Sequence, residues 1–377
     1  MTLRRVISGC LTALLVCCCA ACSSESASED VPAPQPVVQT QPQAEPEPKP
    51  EPKPEPEPEA EAEPACAPEL CEEIWFLGTR VGVYLAQDRT WLRLTDVQSA
   101  CPAQLAFDPS LLESLVCDDQ DYVSLSQLIE QLALTWGREA EGLRYLARQQ
   151  TLGEIPPGYN VPVLMYHAVS DEVWGFQELF VSPSSVEEQL QYLQDNGYQT
   201  IWFSDLDHIE DYEKPVILTF DDGYDDNYTE LFPLLQQYQA KATIFVIGNA
   251  MGNPHKMTRE QVHELAASGL VSIQSHTYSH GNLSAMDEQT LRREMEQAND
   301  TLAAVTGQIP YVLCFPEGKY SNLTVQVAQD YYDFSLLMSG AVYQTGADPY
   351  RVTRSYIPRS LTLGGFEWST KPCGKAQ

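Results

Sequence analysis

The stretch KPVILTFDDGYDDN, Lys214–Asn227, runs from an apolar segment straight into two adjacent carboxylates. The apolar part is short, rich in β-branched residues and bounded by proline and glycine. That composition predicts a strand buried on both faces, as in a parallel sheet. Asp221 and Asp222 then stand where the strand ends. Like charges repel, so the pair needs a nearby cation or a division of labour between its two members.

Working outward, residues 155–368 alternate strand and helix patterns. VPVLMY, YQTIWF, KPVILTF, KATIFVI, LVSIQS and YVLCF have strand composition. Between them, SPSSVEEQLQYLQDNG sets Val186, Leu190 and Leu193 on one helical face and stops at Gly197. TREQVHELAASG opens with a Thr258/Gln261 capping box and stops at Gly269. DEQTLRREMEQANDTLAAVTG repeats Leu291, Met295, Ala298, Leu302 and Val305 before Gly307. Repeated β-α units predict an α/β fold with a parallel sheet, open or closed into a barrel. In both, chemistry gathers at the C-terminal ends of the strands.

Asp221 and Asp222 lie at such an end, and three other strand ends carry polar residues. His167 follows VPVLMY, His276 and His280 follow LVSIQS within SHTYSH, and PEGKY follows VLCF. Two histidines at i and i+4 plus one aspartate of the pair make a three-ligand metal site, leaving the other carboxylate free as a base. Each piece alone has a bland explanation. Paired aspartates are common on surfaces, HxxxH arises by chance, and a lone histidine after an apolar strand is more often a hydrogen-bonded core residue. Four such clusters, each ending a separate strand of one domain, point to one shared site.

TFDDGY, then SHTYSH, then FPEGKY resembles the polysaccharide deacetylase (NodB-homology) family, carbohydrate esterase family 4. PVLMYHAV and RVTRSYIPRS resemble its branch of poly-N-acetylglucosamine deacetylases. The resemblance spans roughly residues 158–368. It implies a distorted (β/α) barrel holding zinc or another divalent metal on Asp222, His276 and His280. It implies Asp221 as general base and the backbone at Pro316 and Glu317 as oxyanion donors. The family's late Leu-x-His motif is absent, and in the resembling branch a first-strand histidine supplies the acid, which points to His167. Cys314 stands where other branches have a base-orienting arginine, a role left to Arg359 or Arg354. Glu317 replaces the aromatic residue that usually precedes the motif glycine.

The implied activity is removal of N-acetyl groups from polysaccharide containing N-acetylglucosamine. Two alternatives stand beside it: an O-acetyl esterase on acetylated glycans such as xylan, and a non-catalytic glycan-binding lipoprotein. A base beside a metal would be needless in the last.

The chain of 377 residues has a formal net charge of −31. With no basic patch to displace counterions, nucleic acid is excluded as a partner. Residues 1–22 have Arg4 and Arg5, an apolar run and the ending AlaAlaCys, and resemble a bacterial lipoprotein signal with Cys22 as the lipidated residue. The expected location is therefore the bacterial cell surface, with the exported protein held on the membrane by lipid. Residues 23–65 form a Pro/Glu-rich linker with almost nothing to bury. Residues 66–152 predict a small α+β module that faintly resembles the copper amine oxidase N-terminal type, expected to act as a spacer or wall contact. Its YVSLSQLIEQL predicts a helix with a Ser124/Gln127 capping box. Cys66–Cys71 and Cys101–Cys117 are the nearest candidate disulfides.

Overall fold

The computed structural model describes residues 67–376, apart from 103, 104, 106, 141 and 341. Cys22, the export segment, the Pro/Glu-rich linker and Cys66 lie outside the described residues. Among the described residues no helix is long and apolar enough to cross a membrane.

The first part is a mixed sheet of β1 (Glu69–Phe76), β2 (Thr79–Ala86), β3 (Arg89–Arg93), β4 (Ser114–Cys117), β5 (Gln120–Ser124), β6 (Leu134–Arg138) and β7 (Arg144–Gln149). Helices α1 (Leu94–Ala100) and α2 (Leu125–Gln131) accompany it. The run IWFLGTRVGVYL folds as two antiparallel strands, β1 and β2. Leu77 and Gly78 turn between them at φ of 49° and 85°, the left-handed pair that suits a two-residue hairpin. A side chain at Gly78 would strike the carbonyl of Val305, so glycine also permits close docking on the rest of the chain.

The capping box expected at α2 does not form. Ser124 makes no side-chain cap, and the Gln127 side chain instead accepts a hydrogen bond from the Glu113 amide at 2.6 Å. Nor does the Cys101–Cys117 disulfide form, since Cys101 is a free thiol. Burial pushes its pKa up to about 11.

The second part begins with β8 (Tyr159–Val161), β9 (Val163–Tyr166), β10 (Ala168–Val169) and β11 (Phe180–Val181), then α3 (Pro183–Asp195) and β12 (Gln199–Thr200). It continues through β13 (Pro215–Phe220), α4 (Phe232–Tyr238), β14 (Ala242–Val246), α5 (Arg259–Ala267), β15 (Val271–Ser275) and α6 (Glu288–Thr306). β16 (Gln308–Ile309), β17 (Val312–Cys314), α7 (Asn322–Ala328), β18 (Phe334–Leu336), β19 (Tyr343–Gln344), β20 (Ser355–Tyr356), α8 (Leu363–Ser369) and β21 (Gly374–Lys375) complete it.

Strands β18-β17-β15-β14-β13-β9-β20 form one parallel sheet in that order. It curls until a bridge between Leu336 and Val352 links its two edges, the distorted barrel expected. β13, β14 and β15 are buried along their whole length. β13 and β14 are almost wholly apolar, as a strand covered on both faces should be, whereas β15 buries Ser272, Gln274 and Ser275. Leu218, Ile244 and Ile273 pack outward with Val186 and Leu190 of α3 and Val262 and Leu265 of α5. Ile217, Phe245, Val312 and Phe334 fill the inside. The same alternation carries Thr219 and Asp221 inward.

The module is fastened to the barrel. β7 pairs with β1 through Arg144–Leu146, then runs on to pair with β16 through Arg148 and Gln149. Tyr145 and Ala147 pack on Ala303 and Ala304 of α6. The Tyr145 hydroxyl donates to Asp300 at 2.7 Å. The whole forms one compact unit, so the module is part of the globular body, not a free spacer.

Candidate active site

Each site residue is delivered by a strand end. The Asp221 amide donates to the Tyr166 carbonyl at 3.0 Å, which sets the end of β13 level with the end of β9 and brings Asp221 beside His167. The His276 amide donates to the Val246 carbonyl at 3.0 Å, placing His276 level with the end of β14. Just past these ends the backbone turns left-handed: Asp222 at φ 76°, Gly223 at 65°, Thr277 at 64°, His280 at 58° and Glu317 at 51°. For residues other than glycine this conformation costs energy, and it gathers around one site. Gly223 admits no side chain easily, because a Cβ would lie 3.3 Å from Val246.

Asp222, His276 and His280 converge. Asp222 Oδ1 lies 3.4 Å from His276 Nε2 and 3.3 Å from His280 Nε2. Two metal bonds of about 2.0–2.1 Å at a tetrahedral angle separate their ligand atoms by roughly 3.4 Å. The spacing and the donor set, one carboxylate and two imidazoles, both fit a divalent ion. His276 Nδ1–H donates to the Cys314 carbonyl at 2.9 Å, leaving Nε2 with a free lone pair toward Asp222. Burial opposes ionisation of Asp222, but the neighbouring imidazoles and Lys256 outweigh it and hold the pKa well below the usual carboxylate range.

Asp221 is separately held. Arg354 Nη1 donates to its Oδ1 at 2.7 Å and Nη2 to its Oδ2 at 2.8 Å. The same guanidinium donates to Thr219 Oγ1 at 3.0 Å and the Leu337 carbonyl at 2.9 Å. Burial raises the Asp221 pKa, yet Arg354 more than offsets it and the net shift is downward. Cys314, buried beside them, has its pKa pushed well above the usual thiol value by burial and stays neutral.

Arg354 therefore occupies the place left to Arg359 or Arg354 in the sequence. Arg359 lies elsewhere: its Nη1 donates to the carbonyls of Ser170 and Phe180, tying down the β10 and β11 ends. Pro316 is also corrected. It is buried and, as proline, has no N–H to donate, so Glu317 is the one member of that pair able to offer a backbone donor. The Glu317 side chain is exposed and ion-paired with Lys319.

His167 sits 3.9 Å from Asp221, Nε2 to Oδ2, and is buried. Its Nδ1 has no partner among the described residues, and its carbonyl accepts from Asn227 at 3.0 Å. Burial lowers its pKa, against the pull of Asp221 and Asp222. A structural core histidine normally has its buried nitrogens hydrogen-bonded; this one does not.

Two further residues were not singled out in the sequence. Lys256 donates to the Asp222 carbonyl at 3.0 Å and lies 3.6 Å from the centre of the Tyr224 ring. Trp174 stacks on His255 at 4.1 Å and meets Tyr224 edge-on at 5.0 Å. Neither had a local signal: both reach the site through loops of irregular structure.

Comparison with known proteins agrees with this geometry. Residues 208–332 match the family described as Polysaccharide deacetylase. A Bacillus subtilis (strain 168) protein named as a polysaccharide deacetylase is 36% identical over 175 residues, covering 45% of this chain and 61% of its own. The poly-beta-1,6-N-acetyl-D-glucosamine N-deacetylase of Escherichia coli (strain K12) is 32% identical over 153 residues, 35% of this chain and 23% of its own. This chain thus spans less than two thirds of either relative. The crystal structure of a polysaccharide deacetylase from Bacillus cereus superposes with a TM-score of 0.54 at 27% identity, covering 63% of this chain and 76% of that one. Fold, strand-end residues and sequence agree, and the chain carries a polysaccharide deacetylase domain of the carbohydrate esterase family 4 type.

Proposed function

We propose that the protein is a metal-dependent deacetylase that removes N-acetyl groups from polysaccharide containing N-acetylglucosamine. The observation that carries this is the separation of two adjacent aspartates into different environments. Asp222 faces two imidazoles at 3.3–3.4 Å, while Asp221 is held by Arg354. A binding protein has no use for that division.

In this reading Asp222, His276 and His280 hold a divalent ion, with zinc the best fit to the near-tetrahedral ligand spacing. The bound ion supplies Lewis acidity toward a water and an amide carbonyl. Asp221, kept ionised by Arg354, takes the proton of the attacking water. The Glu317 amide is the candidate donor to the developing oxyanion. His167, beside Asp221, gives a proton to the departing amine, which leaves the sugar as a free amino group and releases acetate. The activity is placed outside the cell, on a lipid at Cys22, by the signal-like sequence alone.

The name of the E. coli relative supports a polymer of N-acetylglucosamine as substrate class. The test is acetate release from β-1,4- and β-1,6-linked N-acetylglucosamine polymers by the purified protein, with and without chelator. Release that chelator abolishes and added metal restores is expected. No release from any such polymer would overturn the reading.

A further inference from the structure

The module and the deacetylase domain meet near the site as well as at β16. A cleft of about 220 Å³ lies there, lined by Glu139, Asn249, Met251, Arg259, Tyr278 and Thr301. Glu139 is on the β6–β7 turn of the module; Asn249 and Met251 follow β14. Tyr278 stands midway between His276 and His280 in the loop that carries both. The Asn249 amide donates to the Tyr278 carbonyl at 2.9 Å and the Gly248 amide to the Thr277 carbonyl at 3.0 Å. One wall of the cleft is thus the loop that holds the candidate metal ligands, and the other comes from the module.

The chemistry of the lining selects an occupant. Arg259 is the cation of the cleft, and its charge is already matched. Its Nη2 donates to Glu139 at 2.8 Å, and its guanidinium lies 5.3 Å from the centre of the Trp75 ring. Glu139 is buried, and its other oxygen accepts from Trp75 Nε1 at 2.6 Å. This closed group fixes the cleft wall without leaving net charge to attract an anion. What remains is an aromatic ring, an amide, a hydroxyl and a thioether, a set that suits a neutral ring bearing hydroxyl and acetamido groups. The volume is below the roughly 300 Å³ at which drug-sized pockets begin, so it fits one sugar unit.

We propose that this cleft is a subsite for a neutral sugar unit flanking the one that is deacetylated, and that the module supplies one side of it. The proposal rests on the deacetylase reading, and adds that the module takes part in holding the polymer. Ala140, also on the cleft, is an exposed turn residue and tolerates a larger side chain without disturbing the core.

Ala140→Trp, which fills the cleft from the module side, and Asn249→Ala, which removes an amide from the other side, provide the test. Binding of β-1,4- and β-1,6-linked N-acetylglucosamine hexamers and dimers is measured by calorimetry on the whole protein, and acetate release by assay. Each variant should lower the ratio of hexamer to dimer kcat/KM about tenfold, the worth of one lost stacking contact or hydrogen bond, and weaken hexamer binding to match. Equal hexamer binding by wild type and Ala140→Trp, or an unchanged hexamer-to-dimer ratio, overturns the subsite. A wild-type protein that binds neither hexamer overturns it too. A wild-type protein that binds hexamer more tightly than the variants do, but releases no acetate, overturns the deacetylase reading and leaves the subsite standing.

Discussion

Arg354 grips Asp221 by both carboxylate oxygens, at 2.7 and 2.8 Å, with neither side chain open to water. Breaking such a buried pair from one side strands a charge and typically costs about 3–5 kcal/mol. Arg354→Met should therefore lower thermal stability strongly and abolish acetate release. The double variant Asp221→Asn/Arg354→Met removes both charges and should recover much of the stability but none of the activity. Melting curves of the single and double variants decide this. A double variant no more stable than Arg354→Met would show that the pairing is not what holds this part of the core.

His276→Ala takes away one of three converging ligands and the hydrogen bond to Cys314. Metal content measured on the purified variant should drop together with acetate release. Full metal occupancy in that variant would remove Asp222, His276 and His280 as the metal site.

His167→Ala should cost roughly 10²–10⁴-fold in amide hydrolysis, the usual size of a general-acid contribution. Its Nδ1 has no partner among the described residues, so little hydrogen bonding is lost and metal content should hold. An activated acetate ester, whose leaving group needs no proton, should suffer much less than the amide. Equal losses on ester and amide, with a lower melting temperature, would make His167 a packing residue.

Asp226 gives a pH dependence of stability. Its Oδ1 accepts from the Val169 amide at 3.0 Å and from Asn227 at 2.9 Å, while Oδ2 is buried without a partner among the described residues. Burial pushes its pKa up to about 6. The folded value lies above the unfolded one, so the neutral form favours the folded state. That contribution is present below about pH 4 and is lost as pH rises through 6, a change of about 3 kcal/mol. Asp226→Asn stays neutral throughout. Its melting temperature should therefore gain on wild type between pH 4 and pH 7; a constant difference across that range would refute the shift.

What could be read beforehand was what the chain writes locally. The strand before Asp221, the Thr258/Gln261 capping box and the left-handed Gly307 at the end of α6 all appear as expected, because neighbours in sequence determine them. Arg354 was harder. It pairs with a residue 133 positions away, and nothing in RVTRSYIPRS separates it from Arg359 until β20 is laid beside β9. YQTIWF shrank to a two-residue strand because the backbone of Trp202 is capped by Asp205 and Phe203 starts a helical turn. Gln127 left its capping box for a partner fourteen residues back. Pro316 was legible all along, since a residue without an N–H cannot be a donor.

The shared strand β7 has a mechanical consequence. The described chain starts next to β1, which is no edge strand: it is laddered to β2 on one side and to β7 on the other. A pull on the residues preceding Glu69 acts along β1, so its ladders resist in shear and not by unzipping one bond at a time. β7 hands that load on to β16, and Tyr145 hands it to α6. Tension therefore reaches the deacetylase domain through β16 and α6. Helix α6 also holds the loop between His276 and His280, because Glu294 accepts from the amide and hydroxyl of Ser279 at 2.8 and 2.7 Å. The site is thus mechanically coupled to the chain that precedes it.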